Sequence, residues 1–128
     1  MTSRLVRLGL AGLALGITAL AWAALDLPGR ALVRGHLGDV GVVMVLVAVL
    51  GLALPWLGPR TWLGLTALIA VATELGQALG LRGAGLIGEL TIGSTFDALD
   101  LLAYAIGLTA AAVLLLSPAR ERPSATPR

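Results

Sequence analysis

Four long apolar runs dominate the chain: Leu8 to Leu25, Val40 to Leu57, Trp62 to Leu81 and Ala98 to Leu116, with charge, Pro or Gly in each break between them. A hydrocarbon core about 30 Å thick takes roughly 20 apolar residues as α-helix, so each run is long enough to cross it. Of the 128 residues 58% are hydrophobic and only 12% charged, and the mean hydropathy is +0.96. A soluble domain of this length cannot bury that much apolar surface. The expected fold is all-α: one polytopic membrane domain over residues 1–128, a four-transmembrane-helix bundle surrounded by membrane lipids.

The second run begins after Asp39 and stops at Pro55, and the third starts just past Pro59 and Arg60, so the two form a tight antiparallel hairpin. The first run admits two readings. Arg4 and Arg7 precede it and Ala21-Trp22-Ala23 resembles a signal-peptide cleavage site, whereas continuation through Leu25 and the Gly12-x-x-x-Gly16 spacing fit a retained helix. Orientation follows from the arginines. With both termini cytoplasmic, Arg4, Arg7, Arg60, Arg120, Arg122 and Arg128 lie inside and only Arg30, Arg34 and Arg82 outside. That distribution predicts both termini inside for a multi-pass protein expected in the bacterial cytoplasmic membrane. Residues 117–128, rich in Pro, Arg and Ser, read as a disordered cytoplasmic tail. Trp56 and Trp62 are expected at the inner interface and Trp22 near the outer one.

Placed on this topology, the remaining polar groups gather at the outer end. Asp39 opens helix two after Arg30, Arg34 and His36; Glu74 and Gln77 lie in the outer half of helix three; Asp97, Asp100 and Tyr104 open helix four. At 1.5 Å per residue, Glu74 and Tyr104 both lie about 10 Å below the outer interface, and Gln77 and Asp100 about 5 Å below it. Helices three and four run antiparallel, so two rungs are expected, Glu74 with Tyr104 and Gln77 with Asp100. A central charged residue costs roughly 2.5 to 3.5 kcal/mol to insert, so these groups should face inward, with Arg34 or Arg82 as candidate counter-charges. Glu74 is the best candidate for a group that gains and loses a proton.

Plainer roles stand beside these. Asp39 equally reads as the N-cap of helix two, and Ser94-x-x-Asp97 has capping-box spacing. His36 reads as an ordinary loop residue. The polar pairs within the spans also serve as interhelical glue. Gly83-Ala84-Gly85-Leu86-Ile87-Gly88 matches a dinucleotide-binding spacing but sits in a loop between membrane helices, without the strand such a site needs. With no cysteine, thiol chemistry and disulfides are excluded, and no basic-aromatic cluster points to nucleic acid. No cofactor or metal motif, and no set of catalytic residues, is recognised.

The Gly38-Asp39 opening, Glu74-Leu75-Gly76-Gln77, and the stretch Gly93-Ser94-Thr95-Phe96-Asp97-Ala98-Leu99-Asp100-Leu101-Leu102-Ala103-Tyr104-Ala105-Ile106-Gly107 resemble the bacterial membrane family catalogued as domain of unknown function 2809. The resemblance covers about residues 5 to 116 and implies a small multi-pass membrane protein with no established activity. A more distant similarity is to VanZ-like envelope proteins, whose pattern Glu74, Gln77, Asp100 and Gly107 match, with Tyr104 standing where that family has asparagine.

Three functions are compatible with these residues. The first is an envelope-associated membrane protein whose outward polar pocket, lined by Asp39, Glu74, Gln77, Asp97, Asp100 and Tyr104, binds a lipid head group or an envelope partner. The second is a small oligomeric proton-linked transporter or channel protomer, a homo-oligomer because four helices are few. The third is a membrane-embedded enzyme with Glu74 and Asp100 as an acid/base pair. One-sided placement of the polar groups favours the first, since a path across the bilayer needs polar groups in both halves.

Overall fold

The computed structural model describes residues 1–80 and 98–118. Arg82, Asp97, the Gly83 to Gly88 motif, the capping-box spacing from Ser94 and nearly all of the expected tail lie outside the described residues. Every regular element among the described residues is helical. The described residues form four helices: α1 (Thr2–Ala24), α2 (Arg30–Ala53), α3 (Pro59–Ala78) and α4 (Ala98–Leu116). Of these, α1, α2 and α4 are long and apolar enough to cross a membrane. α3 is of similar length but includes Arg60, Glu74 and Gln77.

The helix ends follow local chemistry. Pro55 cannot continue α2, which stops at Ala53, and Pro59 occupies the first turn of α3, where its missing N–H costs nothing. The Leu54 carbonyl, left without a helical partner, accepts a 3.0 Å hydrogen bond from the Trp62 indole. Trp62 is thereby drawn into the core, 2% exposed, whereas Trp56 is exposed. At the other end of the sequence, the Arg4 guanidinium donates to the Leu115 and Ser117 carbonyls at 3.1 and 2.6 Å. The start of α1 and the end of α4 therefore share one end of the bundle.

α2 is continuous from Arg30, well upstream of Val40. Its first turn, Arg30–Leu32, passes into a π-helical turn, Val33–Leu37, and then into regular α-helix from Gly38. Asp39 is consequently inside a helix, in the first turn after Gly38, and the N-cap of that segment is Leu37. His36 lies on the same helix and is no loop residue.

α2 is the central helix, and glycines let its neighbours approach closely. A Cβ added at Gly12 of α1 would lie 2.6 Å from the Gly41 carbonyl oxygen, and one at Gly107 of α4 would lie 2.9 Å from the Val40 carbonyl oxygen. α3 packs mainly on α4 and also on α2. Leu5, Leu8, Met44, Val47, Ala48, Trp62, Ala111 and Leu115 form the apolar core, toward the end marked by Trp62. The outer surface of the bundle is also apolar, with Leu10, Leu13, Ile17, Val42, Leu68, Ile106 and Val113 all exposed. A surface of that kind is matched to lipid and would be an aggregation liability in water.

Candidate functional site

The polar side chains lie at the end of the bundle opposite the apolar core. Asp39 comes from the early part of α2, Glu74 from the last turns of α3, and Asp100 and Tyr104 from the first turns of α4. Because α3 runs antiparallel to α4, the end of one helix meets the beginning of the other. The Tyr104 hydroxyl donates to Glu74 Oε1 at 3.0 Å. Glu74 is only 2% exposed, which makes this bond the more consequential, since a carboxyl away from water depends on such partners. The Asp39 carboxyl lies close to Asp100 and to Glu74 as well. Three helices thus bring three carboxyls and one phenol together.

Two residues on one helix reach the cluster from α2. His36 precedes Asp39 by three positions, which places both on one face. His36 Nδ1 lies 3.1 Å from Asp100 Oδ1, and both side chains are largely but not fully enclosed, at 23% and 19% exposed. The π-helical turn bearing His36 is a rare feature that recurs at functional sites in helices. Arg34, two residues away and so on the opposite face, is exposed and borders Ala23, Arg30 and Ala31. Among the described residues it forms no ion pair; Arg30 pairs with Asp26 outside the cluster, and the basic group beside Asp100 is His36.

The structure accordingly brings together Asp39, Glu74, Asp100 and Tyr104, adds His36, and leaves Arg34 apart. Gln77 sits one turn beyond Glu74 and is half-buried. Asp97 and Arg82 are outside the described residues. The signal for His36 was present in the sequence as His36-x-x-Asp39, a helical spacing, but the apolar run that marks the helix starts only at Val40.

Next to the cluster, α1, α2 and α4 enclose an open groove of about 430 Å³ lined by apolar side chains including Leu15, Leu32, Val40, Leu102 and Ile106. His36 belongs to its wall as well as to the cluster. Carboxylates beside an imidazole can hold a cation, accept hydrogen bonds from a head group, or exchange protons. The groove adds an apolar surface to that chemistry.

The chain matches the family described as Protein of unknown function (DUF2809) over residues 29–108, a stretch that contains every residue of the cluster. It belongs to that family. No curated protein and no solved structure matches it, and nothing in these comparisons supports the likeness to VanZ-like proteins.

Proposed function

We propose that this member of the family is a four-span protein of the bacterial cytoplasmic membrane, both termini inside, whose outward-facing pocket binds the polar head of a membrane amphiphile. The observation that carries this reading is the double position of His36, in the wall of the apolar groove and against Asp100 of the acidic cluster. An acyl chain in the groove and a head group at His36, Asp39 and Asp100 would satisfy both surfaces at once. Small-molecule sites commonly combine an apolar lining with a few convergent polar groups.

A fourth crossing by α3 is supported by its twenty residues, a length of about 30 Å at the α-helical rise. Its buried Glu74 faces the bundle while Leu68, Ile69, Val71 and Leu75 face outward, so the polar residue does not meet lipid. The distribution of the arginines supports an outward-facing cluster. The shared end of the Arg4 and Ser117 contacts agrees with an even number of crossings.

Native mass spectrometry of the full chain released from micelles, in EDTA, tests the reading. The wild type should retain lipid. Ile106→Trp, which fills the groove from a position 52% exposed and so tolerant of bulk, should lose most of it. Equal retention by both would refute the reading.

A further inference from the structure

Which charge the pocket carries at work depends on what lies between its acidic groups. His36 and Asp39 come from one face of α2 and Asp100 faces them from α4; one ring nitrogen and two carboxylate oxygens from these three all lie within 4.8 Å of one another. This is a mixed nitrogen and oxygen donor set, not an acidic patch. The imidazole supplies an independent observation. His36 Nδ1 is 3.1 Å from Asp100 Oδ1, yet it is buried, not aligned for a hydrogen bond with that oxygen, and without another hydrogen-bond partner among the described residues. A nitrogen and an oxygen side by side without a bond between them are disposed like two ligands of a third atom.

The dimensions agree. An ion held at about 2.0–2.2 Å by nitrogen and carboxylate ligands keeps neighbouring ligand atoms roughly 3.3 to 3.6 Å apart in tetrahedral geometry. The His36 and Asp100 atoms, 3.1 Å apart, stand close to that separation, and an Asp39 oxygen lies within 4.8 Å of both residues' donor atoms. Charge agrees as well. Among the described residues no arginine pairs with Asp39 or Asp100, so two adjacent carboxylates repel at a site largely enclosed by protein. A divalent cation removes that repulsion and leaves the unit neutral.

We propose that His36, Asp39 and Asp100 bind one divalent transition-metal ion, with Zn²⁺ and Mn²⁺ as the fitting class. The inference rests on the reading of this cluster as a binding pocket and names what that pocket holds. The imidazole disfavours Mg²⁺ and Ca²⁺, which take oxygen ligands. Three protein ligands leave at least one coordination position for water or for a donor atom arriving along the groove.

The full chain, stripped with EDTA in micelles and dialysed into metal-free buffer, is titrated with Zn²⁺, Mn²⁺ and Mg²⁺ separately, by calorimetry and by metal analysis after desalting. One Zn²⁺ or Mn²⁺ per chain is expected, held at least about tenfold more tightly than Mg²⁺. His36→Ala and Asp100→Asn should each weaken binding about tenfold or more, with helical content unchanged in metal-free buffer. Should Asp100→Asn not fold, His36→Gln serves, because that side chain is partly exposed and its replacement retains similar size. Co²⁺ gives a second readout, a visible absorption band of a low-symmetry nitrogen and oxygen site that His36→Ala abolishes. Substoichiometric uptake, or variants that bind like the wild type, overturns the proposal. Lipid retention measured in EDTA is independent of this result: retained lipid without metal uptake removes the metal site alone, whereas metal uptake without retained lipid supports the metal site and removes the lipid reading.

Discussion

Gly12 and Gly16 are one turn apart on α1 and indistinguishable as a sequence motif, but the structure gives them different surroundings. A Cβ at Gly12 would lie 2.6 Å from the Gly41 carbonyl oxygen, 2.9 Å from Val45 Cγ2 and 3.0 Å from Met44 Cβ; a Cβ at Gly16 meets nothing within 4 Å. For Gly12→Ala the nearest obstacle is backbone, so α1 and α2 must separate by about 0.8 Å to restore ordinary contact, and overpacking of this kind costs about 1–3 kcal/mol. Both substitutions gain the same helix propensity, up to about 1 kcal/mol for Gly to Ala. The difference between them therefore isolates the steric cost. Gly16→Ala should be neutral or stabilising, and Gly12→Ala less stable than it by about 2 kcal/mol, roughly 30-fold in the unfolding constant. Reversible unfolding in mixed micelles, or steric trapping in bilayers, reads that gap. Equal stabilities, or a Gly12→Ala protein more stable than Gly16→Ala, would refute the close crossing of α1 and α2.

Thr66 is fully buried and its hydroxyl has no hydrogen-bond partner among the described residues, unlike Thr18, Thr73 and Thr109, which bond the carbonyl four residues back. Thr66→Val should stabilise the bundle by about 1 kcal/mol in the same unfolding assay, and a loss of stability would mean the hydroxyl is in use. Trp62→Phe removes the donor that satisfies the Leu54 carbonyl and leaves a void in the core, so it should destabilise by about 2–4 kcal/mol, with a neutral result contradicting the buried indole. Reporter fusions within the stretch around Arg82 should report the exterior and fusions after Arg120 the cytoplasm; the reverse pattern would turn the pocket inward.

The apolar runs made the helical class legible, because length and apolar content suffice to expect membrane helices. Their ends were harder. The sequence reading begins helix two at Val40 because Gly35, Gly38 and the charges at Arg30, Arg34 and Asp39 dilute the apolar signal, but the chain is helical from Arg30. A π-helical turn has no periodicity that a short polar segment could reveal, so His36 fell into an expected loop. The convergence of Glu74 and Tyr104, by contrast, followed from counting residues along two antiparallel helices. Arg34 could be drawn toward the cluster only while helix two lacked its first turns; once those are helical, a two-residue offset puts His36 and Arg34 on opposite faces. Trp62 illustrates the same limit: as an aromatic at a membrane end it suggests an interface, and only the orphan Leu54 carbonyl explains why it turns inward.

Side chains from separate helices meet inside the bundle, and the 3.0 Å bond from Tyr104 to Glu74 is the most direct expression of that meeting. A double-mutant cycle of Tyr104→Phe and Glu74→Leu, which removes the donor and the acceptor respectively, followed by unfolding in bilayers, measures that contact. The single changes should be non-additive, with a coupling of about 0.6 kcal/mol or more, in the range found for interhelical hydrogen bonds in membranes. Additive effects with no measurable coupling would contradict it.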